Sequence, residues 1–252
     1  MSYCRTVFLF LFLLPFQSLA EDGLTVAVAS NFQRAATSIA AEFSQSTQIP
    51  VRISAGSTGK LYAQIVNGAP YDIFLAADSA RPKRLEDDGI AVKGSRITYA
   101  VGSLLLWSAD TTLDEGECLE TLKSGSYRRL AIANPLTAPY GLAATEFLQA
   151  ANLYDDASSR LVYGENVAQA LHFVASGNAT LGLLAASQIG PDIPVETRCA
   201  WAVPRHMHSE IVQQGVVLNA SISPDAAMKF MTFLQGPRVA AILKGHGYKA
   251  PE

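Results

Sequence analysis

Four polar residues, Ser30, Asn31, Ser57 and Thr58, stand in two pairs where an apolar run gives way to helical spacing. A helix N-terminus has N–H groups without internal partners and carries about half a positive charge from the aligned peptide dipoles. Two such ends side by side, lined with hydroxyl and amide groups, form a socket for an anion. Helix capping accounts for any one of these residues alone; their occurrence at two successive joints shifts the balance toward an anion site. Tyr140, between Pro139 and Gly141, and the pair Asn166-Val167 hold corresponding joints later in the chain. Tyr140 lies in a loop facing a helix mouth, within reach of a ligand.

The elements that must position these groups follow from periodicity. Residues 24–29 read as a buried strand, and Ala35, Ala36, Ile39, Ala40 and Phe43 recur at helical spacing, which puts Ser30-Asn31 where a helix N-cap belongs. Residues 51–54 alternate as a strand, 55–59 turn, and Leu61, Gln64 and Ile65 open a second helix. A third strand over 72–77 ends in Asp78-Ser79, either of which can cap a helix carrying Pro82 and Leu85. The order β-α-β-α-β-α implies a parallel sheet covered by helices. Strands over 98–102 and 104–108 then follow with little between them, so the chain leaves its first lobe there. The pattern restarts with a strand over 129–133, a loop over 134–141, a helix over 142–151, and a strand over 161–166 leading into a helical face that starts at Val167. Further strands cover 181–185, 200–204 and 214–218, and two helices over 224–234 and 237–243 close the chain. The expected architecture is α/β: two lobes, the second inserted into the first, with a ligand cleft between them where strand carboxyl ends meet. Residues 1–20 form a leader, 21–102 plus 205–252 lobe I, and 103–204 lobe II.

Length, charge and cysteine usage narrow the class. With 252 residues, 49% hydrophobic and 16% charged, the chain can bury a substantial core. Arg5, the apolar run over 7–16 and Ser18-Leu19-Ala20 read as a secretory signal peptide cleaved after Ala20, with a soluble, exported product. The net charge is −3 with no basic run, which disfavours nucleic acid as a partner. Cys4 leaves with the leader, and Cys118 and Cys199 remain as an even pair that an oxidising compartment could join in a disulfide. Gly56-Ser57-Thr58-Gly59-Lys60 is not a phosphate loop, because Ser54 and Leu61 occupy the positions where that motif needs Gly and a hydroxyl. No G-x-S-x-G elbow is present. His206 and His208 alternate along an expected extended segment and read as a surface pair rather than a metal site.

The runs Val28-Ala29-Ser30-Asn31-Phe32, then Gly56 to Ile65, then Asn67 to Asp78, resemble the periplasmic molybdate-binding proteins of ABC importers, and the likeness extends over essentially the whole mature chain. The resemblance implies a two-lobed periplasmic binding protein fold of type II, closing on molybdate or tungstate held by neutral donors. It implies no enzyme activity and no cofactor, molybdenum entering only as the bound oxyanion, and a monomer that delivers to a cognate permease in the inner membrane. Carried over by position, the donors are Asn31 with Ser30 beside it, Thr58 with Ser57 adjacent, Tyr140, and the backbone N–H of Val167. The choice between Ser57 and Thr58 stays open. One branch of that family takes a tyrosine from the strand after the Val167 helix; Ala185 stands there, so the chain is similar instead to the branch with a tyrosine in the proline loop. Sulfate, thiosulfate or another oxyanion is the alternative ligand, and an exported small-ester hydrolase the alternative class.

Overall fold

The computed structural model describes residues 23–114, 116–190 and 199–248. The expected signal peptide and Cys4 lie outside them. The first half runs β1 (Leu24–Ala29), α1 (Gln33–Thr47), β2 (Val51–Gly56), α2 (Thr58–Val66), β3 (Ile73–Leu75), α3 (Ala80–Asp87) and β4 (Ile97–Gly102). One residue, Ser103, separates β4 from β5 (Leu104–Trp107), which begins the second sheet. Then follow α4 (Glu117–Ser124), β6 (Leu130–Ala133), α5 (Pro139–Ala150), α6 (Tyr154–Ser158), β7 (Leu161–Gly164), α7 (Val167–Ala175), β8 (Leu181–Ala185) and β9 (Ala200–Ala202). The chain then returns to the first sheet as β10 (Ile211–Val217) and ends in α8 (Pro224–Leu234) and α9 (Pro237–Gly245).

Both five-stranded sheets share one plan. In the order β2-β1-β3-β10-β4, the first three strands are parallel and β10 is antiparallel to both neighbours. In the order β7-β6-β8-β5-β9, the first three are again parallel and β5 is antiparallel to both neighbours. In each sheet the strand that has just crossed from the other half takes the fourth place. The molecule is therefore two α/β lobes joined by two crossings, the type II periplasmic binding protein arrangement.

Each lobe has its own core. Ala35, Ala36, Ile39, Ala40 and Phe43 make the buried stripe of α1, and Phe43 packs edge-on against Phe230 of α8, their ring centres 5.1 Å apart. Trp107, Leu130, Phe147 and Leu183 anchor the second core. There Cys118 of α4 is joined to Cys199, the residue before β9, by a disulfide.

Several local expectations differ from the structure. Ser30 and Asn31 do not cap α1: they belong to a 3-10 turn, Ser30–Phe32, ahead of it. Helix α5 begins at Pro139, so Tyr140 sits in its first turn rather than in a loop; Pro fits that turn because the first amides of a helix have no partner to lose. His206 falls in a 3-10 turn, Arg205–Met207, rather than in an extended segment. β10 starts at Ile211, three residues earlier than its pattern suggests, because a register shift between Gln213 and Gln214 breaks the alternation.

Candidate functional site

The carboxyl ends of β1, β2, β3, β6 and β7 converge on one small pocket, a cavity of about 10 Å3. Its walls are Ala29, Ser30 and Asn31 after β1, Gly56, Ser57 and Thr58 after β2, and Ala77 after β3. From the other lobe come Ala138, Pro139 and Tyr140 before and within α5, and Val167 at the start of α7. All six residues marked from the sequence line it, and all are buried. Among the described residues, no charged side chain is in the walls.

Ser57 is the residue before α2, with extended backbone, and its side chain makes no capping bond to that helix. Its Oγ is buried and has no hydrogen-bond partner among the described residues. Thr58 differs. Its Oγ1 accepts from the Ala77 N–H at 3.1 Å, so its own hydrogen is the one left to offer. As first residue of α2, Thr58 also presents an amide that no carbonyl of that helix can serve.

Val167 opens α7. Asn166, the residue before it, accepts from Ala168 N at 3.0 Å and Gln169 N at 3.1 Å through Oδ1. The second and third amides are thereby capped, and the first, the N–H of Val167, is left uncapped in a residue that lines the pocket.

Tyr140 enters from the same lobe. Its hydroxyl is buried and, like Ser57 Oγ, has no bonded partner among the described residues. Burial, with the Tyr248 hydroxyl nearby, pushes its pKa well above the ordinary phenol range, and the Gln213 side chain draws it back in part. The hydroxyl therefore keeps its proton throughout the neutral range. Gln213 lies beside it without completing a bond: Gln213 Nε2 is also unpartnered among the described residues.

Asn31 lines the pocket, but its carboxamide hydrogens are engaged. Nδ2 donates to Gln213 Oε1 at 2.8 Å and to Tyr248 Oη at 3.0 Å, while Tyr248 Oη donates back to the Asn31 carbonyl at 2.8 Å. The hydrogen that Asn31 has left for a ligand is its backbone N–H, near the start of the 3-10 turn. Ser187, in the 3-10 turn after β8, donates to the same carbonyl at 3.1 Å and ties the second lobe to this network. Sequence reasoning missed Ala77, Ala138 and Gln213. The first two contribute backbone and carry no side-chain signal, and Gln213 sits in a strand where one glutamine looks like any other.

The chemistry of this arrangement is one-sided. Hydroxyl and amide hydrogens converge, no carboxylate faces them, and two hydroxyls from opposite lobes lack partners. Such a pocket accepts a small group that offers only acceptor oxygens.

Residues 24–249 match the family described as bacterial extracellular solute-binding protein. The chain is 43% identical over 225 residues to the molybdate-binding protein ModA of Azotobacter vinelandii, covering 88% of each chain. It is 40% identical to the molybdate-binding protein ModA of Rhodobacter capsulatus, over 91% of this chain and 89% of that one. The solved structure of the Azotobacter vinelandii periplasmic molybdate-binding protein superposes with a TM-score of 0.86, covering 91% of this chain and all of that one.

Proposed function

The chain belongs to the molybdate-binding proteins of the bacterial extracellular solute-binding family, and on that premise we propose that it captures molybdate, and tungstate alike, for an ABC importer. The exported protein, freed of residues 1–20, works in the periplasm as a monomer and hands its ligand to a permease in the inner membrane. Lobe I is 21–102 plus 205–252 and lobe II is 103–204, with the anion between them.

One observation carries this reading. Ser57 Oγ and Tyr140 Oη, from opposite lobes, are buried in one uncharged pocket with no partner among the described residues. An unpartnered buried hydroxyl costs about 1–3 kcal/mol, so a protein that keeps two of them together keeps them for a ligand. Molybdate at neutral pH is a fully deprotonated tetrahedral dianion whose oxygens only accept. Ser57 Oγ, Thr58 Oγ1, Tyr140 Oη and the Val167 N–H are the donors we assign to it, with Ser30 and the Asn31 backbone at the rim. Each bond to a charged oxygen contributes about 1.5–3 kcal/mol, enough together for tight binding without Lys or Arg. Discrimination from sulfate, also a tetrahedral dianion, rests on the size of the closed pocket.

A hydrolase would need a nucleophile with a base in reach. Ser57 is the candidate nucleophile, and neither a histidine nor a carboxylate shares its pocket. The deciding experiment is isothermal titration of residues 21–252, stripped of bound ligand, with molybdate, tungstate and sulfate in separate runs. Heat from the first two and silence from sulfate is the expected result. Binding of sulfate alone would move the chain to the alternative oxyanions.

A further inference from the structure

A hydroxyl can donate or accept, so a pocket lined by hydroxyls does not by itself exclude a ligand that carries a proton. What decides is the group standing behind each hydroxyl. Behind Thr58 Oγ1 stands the Ala77 N–H, which can only donate and so turns the threonine hydrogen toward the pocket.

Behind Tyr140 Oη stands Gln213. This side chain is fully buried in β10, and its Oε1 accepts from Asn31 Nδ2 at 2.8 Å; Tyr99 Oη lies 3.2 Å away, but its single hydrogen is shared with the Ala76 carbonyl at the shorter distance of 2.9 Å. The Asn31 amide, which can only donate through Nδ2, fixes the orientation of the carboxamide and leaves Gln213 Nε2 at the other end. That end points to the Cβ position missing at Gly102: a Cβ built there would collide with Tyr140 Oη and lie 3.0 Å from Gln213 Nε2. The two unpartnered groups are thus neighbours over one glycine. An amide nitrogen offers hydrogens only, so whatever bond it makes with Tyr140 leaves the phenol oxygen as acceptor and its hydrogen free to point elsewhere.

We propose that Gln213 is a positioning residue that fixes Tyr140 as a donor, so that the pocket selects oxyanions bearing no proton over those that keep one. This rests on the oxyanion reading above and adds a specificity to it. Asn31 acts one step further back, holding the Gln213 amide the right way round. A ligand P–OH or As–OH group needs an acceptor, and the Thr58 and Tyr140 hydroxyls, turned into donors, do not supply one; Ser57 Oγ, with no partner to orient it, still can, so the selection is a preference rather than an exclusion.

The test is a double-mutant cycle read by calorimetry, with sodium molybdate and sodium arsenate as probes at neutral pH, where every arsenate ion keeps at least one proton. Gln213→Met should weaken molybdate binding about tenfold, the worth of one ordinary hydrogen bond, and should narrow the ratio of molybdate to arsenate affinity. With Tyr140→Phe already present, adding Gln213→Met should change neither quantity. A purely structural role would lower affinity in both backgrounds alike, and that result overturns the proposal, as does an unchanged ratio. If Gln213→Met does not fold, Gln213→Glu keeps the acceptor for Asn31 and Tyr99 and replaces the donor. Its molybdate affinity should then rise as pH falls from about 9 to 6.5, as the carboxyl gains the proton it can donate to Tyr140, while the wild type stays flat. A flat profile in that variant overturns the proposal. Silence of the wild type toward molybdate would instead remove the oxyanion reading, and this inference with it.

Discussion

The Gly59 N–H donates to the Thr137 carbonyl at 2.8 Å, so the second amide of the helix lining one side of the pocket is held by the loop lining the other. The glycine permits the approach. A Cβ at Gly59 would stand 2.9 Å from the Thr137 carbonyl oxygen and 3.0 Å from its Cα, both backbone atoms that cannot turn aside. Next to it Lys60 pairs with Glu165 across the same gap at 2.5 Å, with both side chains about half exposed.

Gly59→Ala should therefore separate closure from folding. Within α2 alanine is the better helix former by about 1 kcal/mol, so the ligand-free protein should melt no lower than wild type. Molybdate affinity should fall about tenfold or more as the lobes are held apart. Lys60→Ala, which removes an exposed pair worth about 0–1 kcal/mol, should change affinity little. A Gly59→Ala protein that binds like wild type, with an unchanged scattering profile on saturation, would show that this contact does not gate closure.

The two hydroxyls after β2 should respond in opposite ways. Thr58→Val leaves the buried Ala77 N–H without its acceptor and should cost about 1–3 kcal/mol of folding stability. Ser57→Ala removes a buried oxygen that neither caps α2 nor meets a partner, so stability should hold or rise while molybdate binding weakens. Urea titration of the ligand-free variants checks the first effect and calorimetry the second. Equal destabilisation by both would mean that Ser57 has a structural bond in solution.

Much of this was legible in the chain because its signals are local. The strand-to-helix joints announce themselves through a change of apolar period, and Ser57-Thr58 and Asn166-Val167 fall where that change occurs. What stayed hidden depends on distance. Asn31 reads as a helix-mouth donor, yet its side chain bonds to Gln213 and Tyr248, 182 and 217 residues away. No spacing rule connects such positions. Gln213 was further masked by the register shift beside it, which conceals the inward face of β10. Tyr140 was legible as a ligand-facing residue while the start of its helix was not, because a helix beginning with Pro reads as loop until its later turns show the period.

The disulfide between Cys118 and Cys199 closes a long loop, the two residues being 81 apart in sequence. Chain entropy assigns such a loop about 4.5 kcal/mol of stabilisation, and measured losses on removing a native bridge run about 2–5 kcal/mol. Both residues are fully buried, so reduction should require denaturant or prolonged exposure. Replacing both with Ala should lower the denaturation midpoint by an amount within that range while leaving molybdate affinity within about twofold, because neither residue lines the pocket. A comparable loss of affinity would mean that the bridge shapes the site as well as the lobe.

Alkaline pH should unfold the protein through the tyrosines behind the pocket. Burial pushes the hydroxyls of Tyr99, Tyr140 and Tyr248 up; Tyr99 gains further from its neighbours Tyr248 and Tyr140, and the polar side chains of Ser187, Asn31 and Gln213 nearby only partly offset the rise at Tyr248. In the unfolded chain each titrates near 10. A raised folded pKa means that the unfolded state loses protons first as pH rises. The stability these groups contribute is therefore whole below about 10 and declines above it, each group withdrawing up to about 1.4 kcal/mol per pH unit. On the protein side, binding should stay flat from about pH 6.5 to 9, since no group in the pocket titrates there. Thermal melts across pH 7 to 11.5, followed together with phenolate absorbance, provide the check. The buried tyrosines should ionise only as the fold is lost, and Tyr140→Phe should make the alkaline decline shallower. Phenolate appearing at all tyrosines while the melting temperature holds would show that these hydroxyls reach solvent in the folded protein.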